Sequence, residues 1–74
     1  MGRNNKDFHL GRRGPGWYEG HGYMIERHEN GREWNIHYPD TNGEPRAAAD
    51  DVVGTLSTAK DWARSHWEEN RDQS

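Results

Sequence analysis

Five histidines and thirteen carboxylates in 74 residues are the first place to look for chemistry. An imidazole beside a carboxylate can move protons, and convergent imidazoles can hold a divalent metal. The densest set lies in "ERHENGREWNIH" (26–37), with Glu26, His28, Glu33 and His37. Folded as a hairpin about Asn30-Gly31, this stretch places Glu26, His28 and Glu33 on one face. His28 and His37 share that face but fall in cross-strand pairs several residues apart, so they do not converge. No H-x-x-x-H or H-x-x-E-H spacing occurs, and cysteine is absent, so no metal or other cofactor is expected. A small flat sheet has no cleft in which a carboxylate–imidazole pair could be tuned, so no enzyme activity is expected. "GRRGPG" (11–16) lacks the Lys-Ser/Thr ending of a phosphate loop.

The elements that position these residues follow from turn chemistry and periodicity. Asn30-Gly31 suits a two-residue type I′ turn, in which both central residues need positive φ. Glu29 then pairs with Arg32, Arg27 with Trp34, Ile25 with Ile36 and Tyr23 with Tyr38, and the last three pairs share one side. The opposite side carries Met24 with His37, Glu26 with Asn35, and His28 with Glu33. A slip of one residue would turn the apolar set to solvent, so turn and pattern agree independently. "PDTNG" (39–43) is a second turn. A short edge strand is expected at Arg46–Ala49, the alternative being a helical turn over Pro45–Val53 ended by Gly54.

The run from Leu56 to about Asn70 has neither Gly nor Pro and is a predicted helix, with Thr55 or Ser57 as its N-cap. At 100° per residue, Leu56, Ala59, Trp62, Ala63, His66 and Trp67 fall within an arc of roughly 140°. Ala59 and Ala63 let the backbone approach a sheet, Trp62 and Trp67 cover its margins, and His66 takes a partly buried place bonded to backbone or Tyr. Neither a hairpin nor a helix of this length is stable alone, and each supplies the apolar face that the other needs. The expected fold class is α+β: a two-layer ββ(β)α unit, a small antiparallel sheet covered on one face by a single C-terminal helix.

Composition sets the limits. Hydrophobic residues make up 28% and charged residues 31%, so four Trp, three Tyr and one Phe must supply much of the core. Residues 1–15 are read as a flexible basic arm, 16–70 as the domain and 71–74 as a frayed tail. Trp17 and Tyr18 open the domain, either packed across the sheet edge or in a short extra strand. Residues 1–20 carry +2 and the remainder −5. No apolar run is long enough to span a membrane, and the N-terminus lacks the apolar core of a signal peptide. A soluble cytoplasmic protein with no membrane contact is expected.

"GREWNIHYPDTNGEPRAAA" (31–49) followed by "TLSTAKDWA" (55–63) resembles AP2-type domains and integrase amino-terminal arm-binding domains over about residues 22–67. That resemblance implies three strands and a helix, with the sheet face away from the helix entering the DNA major groove. The face would then present Met24, Glu26, His28, Glu33, Asn35 and His37, with Asn35 reading adenine and a Glu reading a cytosine amino group. The arrangement Trp34, Pro39, Asp40, Gly43, Thr55, Leu56, Ala59, Lys60 and Trp62 also resembles small uncharacterised ββ(β)α proteins of actinobacteria and their phages, which implies a phage or mobile-element origin. Affinity for DNA comes mainly from cations that neutralise phosphates, and this face has two anions and no fixed cation. Arg3, Arg12, Arg13 and Arg46 are the cations available to that reading.

The favoured function is a non-catalytic interaction protein that binds a protein partner, or a second copy of itself. Its candidate surface is Met24, Glu26, His28, Glu33, Asn35 and His37, with Trp17 and Tyr18 at the edge. DNA binding through sheet and arm stands second. Self-association through an uncovered edge strand or exposed rings is a third reading.

Overall fold

The computed structural model describes residues 8–71. Five strands, β1 (Gly11–Gly14), β2 (Trp17–Gly20), β3 (Tyr23–Arg27), β4 (Trp34–His37) and β5 (Asp51–Val53), precede helix α1 (Leu56–Arg71). The strands form one antiparallel sheet in chain order, and α1 packs on one face against β3, β4 and β5. The expected α+β class and one-sided helix are borne out; β2 is the short extra strand that was one of the two alternatives for Trp17 and Tyr18, and β1 is a strand beyond that reading.

Each turn has a chemical cause. Pro15-Gly16 joins β1 to β2, with proline's fixed φ at the first central position and Gly16 at φ 68° at the second. His21 (φ 55°) and Gly22 (φ 84°) join β2 to β3 as a two-residue loop with positive φ at both positions, the type I′ pattern. Asn30-Gly31, where that turn was expected, folds differently. Gly31 N–H donates to the His28 carbonyl (2.9 Å), only Gly31 has positive φ (77°), and the loop spans four residues. Asn30 Oδ1 accepts from the N–H groups of Arg32 (2.8 Å) and Glu33 (3.1 Å), so the asparagine stabilises the loop through its side chain. Two extra loop residues, one on each side, leave the pairing register unchanged. Met24 faces His37, Ile25 faces Ile36, Glu26 faces Asn35 and Arg27 faces Trp34, as expected.

The core lies between sheet and helix and comprises Leu10, Tyr23, Ile25, Ile36, Val53, Ala59 and Ala63. Phe8, Tyr18, Trp34, Tyr38, Leu56 and Trp67 pack around it. Thr55 is the N-cap: its Oγ1 accepts from Thr58 N–H (3.1 Å), satisfying one of the amides that open a helix.

Three expectations are corrected, and a fourth falls outside the described residues. Residues 8–14, assigned to a flexible arm, belong to the domain: Leu10 is 6% exposed and Gly11–Gly14 is a strand, while 1–7 lie outside the described residues. Arg46–Ala49 is neither strand nor helical turn. The strand comes later, at Asp51–Val53, where Val53 reaches the core, while the segment before it is held by Arg46 N–H to the Tyr38 carbonyl (3.1 Å). Trp62, expected to cover the sheet's margin, is 45% exposed. It lies at the rim of the apolar arc, and Phe8 and Trp67 close the core on the far side (ring centroids 5.1 Å). Residues 72–74, the end of the expected frayed tail, lie outside the described residues.

Candidate functional site

Strand alternation and register divide the sequence-predicted surface. On the side away from α1, the row Trp17–Glu26–Asn35–Val52 crosses the sheet, beside the row Glu19–Met24–His37. His28 and Glu33 continue this side into the hairpin loop, where the His28 N–H donates to the Glu33 carbonyl (2.8 Å). Met24, Glu26, His28, Glu33, Asn35, His37 and Trp17 therefore share a side, as expected. Tyr18 does not. It alternates to the helix side, packs edge-on to Trp34 (6.4 Å) and lies under Lys60 Nζ (4.7 Å). Of the expected edge rings, Trp17 alone remains a surface group, 43% exposed.

His37 is also withdrawn from that surface, at 2% exposure. The chain beyond Pro39 folds back, a Pro39–Pro45 bridge closes it, and the Arg46 carbonyl reaches His37 Nδ1 (2.7 Å). A carbonyl only accepts, so Nδ1 donates. Nε2 lies 2.9 Å from Glu26 Oε2. His37 and Glu26 thus pin the 39–46 loop over one end of the sheet. Periodicity identifies the face of His37 but not a loop that returns over it.

The remaining charged groups are largely engaged. Arg13 Nε approaches Glu19 Oε1 (3.6 Å), Arg46 pairs with Asp50 (3.1 Å), and Asn30 Nδ2 donates to Glu33 Oε1 (2.9 Å). Arg12 sits opposite Tyr18 on β1, and Arg3 lies outside the described residues. Asn35 Oδ1 is enclosed and lacks a hydrogen-bond partner among the described residues.

The helix side holds a histidine–tyrosine cluster that resembles a catalytic grouping. Tyr23 Oη lies 2.6 Å from His66 Nδ1, and the His66 ring stacks on Tyr38 at 4.1 Å and 7°. This is the Tyr-bonded, partly buried imidazole expected from the sequence. Tyr38 donates to Asp51 Oδ2 (2.9 Å). Burial pushes Tyr23 up to about 12, and burial together with the Asp51 carboxylate pushes Tyr38 up as well. Both phenols are therefore held protonated at neutral pH and serve as donors. Such an arrangement supports packing and offers no phenolate base.

A groove of about 290 Å³ runs between Phe8–Leu10 and the first turns of α1, with Ser57, Lys60 and Arg64 on its wall. Arg64 is paired to Asp61 there (3.3 Å), and Lys60 is drawn to Tyr18, so neither points an unengaged charge into it. Among the described residues no cluster of three His or acidic residues could hold a metal, and no helix is long and apolar enough to cross a membrane. No protein-family model, curated protein or solved structure matches the chain.

Proposed function

We propose that this chain is a small non-catalytic interaction protein that docks on a protein partner through the sheet face around Trp17. The observation that carries the reading is Trp17 itself: a large ring 43% exposed on a strand hydrogen-bonded on both sides. A tryptophan on a rigid strand loses little conformational entropy on docking and supplies a large contact, the profile of a binding hot spot. Met24 and Glu26 on the neighbouring strand extend the surface, and the carboxylates of Glu19, Glu26 and Glu33 give it an acidic character. A partner with an apolar pocket and a basic rim complements it.

DNA binding fits less well. Arg13 and Arg46 are already engaged by carboxylates, and the carboxylates on this face repel phosphates. The reading also takes the chain to be phage- or mobile-element-derived and to act in the host cytoplasm. Its support is the resemblance between Trp34 and Trp62 to small proteins of actinobacteria and their phages, and a gene position outside any mobile element counts against it.

Affinity capture with the intact chain and with Trp17→Ala, each with and without nuclease, tests the function. One stoichiometric protein, retained after nuclease and lost with Trp17→Ala, is the expected result. Nuclease-sensitive nucleic acid as the captured species, or a protein partner indifferent to Trp17, overturns it.

A further inference from the structure

We infer that two copies of this chain pair edge to edge through β5, forming a closed two-fold dimer with a continuous ten-stranded sheet. This interface is separate from the Trp17 surface and does not depend on it. A sheet edge presents backbone N–H and C=O groups that another strand can satisfy. Here the two edges differ. β1 is interrupted by a bulge between Arg12 and Gly14, and two exposed arginines stand on it, both devices that blunt an edge. β5 is short, three residues, but has no bulge, lysine or proline.

The exposed apolar side chains gather at the same edge. Among the described residues three large hydrophobics are prominently exposed, and Val52 and Trp62 are two of them, each at 45%. Val52 stands on β5 itself, on the face away from the helix. Trp62 lies on the α1 flank beside Tyr38, whose hydroxyl binds Asp51 of β5. The opposite flank of α1 carries Lys60 toward β2. The open edge therefore has an exposed apolar group on each side of it.

The second copy satisfies all of this at once. A two-fold axis along the sheet normal pairs β5 with its counterpart antiparallel. It places Val52 opposite Val52 of the other copy and Asp51 opposite Val53, and keeps both helices on one side with the two Trp62 flanks toward the seam. Of the two carboxylates at this edge, Asp50 is ion-paired with Arg46, and Asp51, turned to the helix side, accepts from the Tyr38 hydroxyl. Joining β5 to the basic β1 of the next copy is the charge-complementary alternative. In a five-strand meander β1 and β5 run the same way, so that contact pairs them parallel if the helices stay on one side, with weaker hydrogen bonds and no closure.

Sedimentation velocity over a concentration series tests the inference, with Val52→Lys, Trp62→Ala, Trp17→Ala and Arg12→Glu/Arg13→Glu beside the wild type. The expected wild-type behaviour is a concentration-dependent approach to twice the 8.6 kDa chain mass. Val52→Lys and Trp62→Ala each raise the dimer dissociation constant about tenfold or more, while Trp17→Ala and the arginine pair leave it unchanged. Circular dichroism melts identify any variant that has lost its fold, and the wild-type series alone still decides. A monomer throughout, a dimer indifferent to Val52 and Trp62, or a mass rising past two copies and sensitive to Arg12 and Arg13 overturns it.

Discussion

His66 and His37 are both set against oxygen atoms, yet their roles were unequally legible. His66 falls in the apolar arc of a predicted helix, and a buried polar ring on such an arc needs a partner, which Tyr23 provides. Replacing His66 with Phe keeps a ring to stack on Tyr38 but leaves the Tyr23 hydroxyl enclosed without its partner. The expected cost is about 1–3 kcal/mol in denaturant unfolding. The same tyrosines set an alkaline limit. Tyr23 titrates near 10 in the unfolded chain and is pushed up to about 12 by burial in the folded one, and Tyr38 shifts the same way. Folding then favours the protonated phenol, and its contribution is fully present below about pH 10 and lost as pH rises toward 12. Ellipticity and tyrosinate absorbance followed together should show ionisation and unfolding in one alkaline step. Tyr23 and Tyr38 ionising near 10 with the fold intact would contradict this. Asp40 has the opposite sign: the Glu44 and Asn42 N–H groups hold its carboxyl below the usual range. Its support of the 40–44 turn is present above the ordinary carboxylate range and lost as pH falls through its lowered value.

At the scale of elements, glycine positions separate what turn chemistry predicts from what tertiary packing decides. Gly31 and Gly22 both have positive φ, so a side chain at either meets backbone strain. A Cβ on Gly31 meets nothing, whereas one on Gly22 runs into the Gly43 carbonyl and Pro39. Gly31→Ala is therefore expected to cost about 1 kcal/mol, the local φ penalty. Gly22→Ala should cost clearly more and disturb the 40–43 turn as well. Chemical shifts of Asn42 and Gly43 that stay unchanged in Gly22→Ala would show that the two turns are not coupled. The type I′ turn sits at His21-Gly22 and not at Asn30-Gly31, because Asn30 has a better use as acceptor for two loop amides. The helix start is simpler. Thr55 caps through its hydroxyl, and Thr55→Ala is expected to lower stability by about 1 kcal/mol with little change in the rest of the fold.

Across the whole molecule, the legible part was the part whose residues repeat. Tyr23, Ile25, Trp34, Ile36 and Tyr38 alternate at period two, and Ala59, Ala63 and His66 recur at helical spacing, so the central hairpin, the helix and their mutual face could be derived. Of the N-terminal strands, β2 was legible only as an alternative for Trp17 and Tyr18 and β1 not at all, because "GRRGPGWYEGHG" spends its residues on two tight turns and leaves few side chains to show a period. Strand β5 was missed by a few positions because three residues carry too short an alternation to fix a boundary. For the candidate surface, alternation identified the side but not the 39–46 loop that buries His37. The N-terminal strands make a quantitative claim about the molecule. A chain with so small a core gains much from each additional enclosed side chain. Leu10 is enclosed beside Gly20, where any added Cβ would strike the His9 carbonyl, so this segment is seated tightly on the sheet. Leu10→Ala is expected to cost about 2–4 kcal/mol, a large share of the roughly 5 kcal/mol available to a domain of this size. Removing residues 1–10 should lower the thermal midpoint further, since Phe8 is lost with Leu10 and its contacts with Tyr23 and Trp67 go too. A flexible arm predicts no change for either variant, and unfolding curves that overlay the wild type would return residues 8–14 to that role.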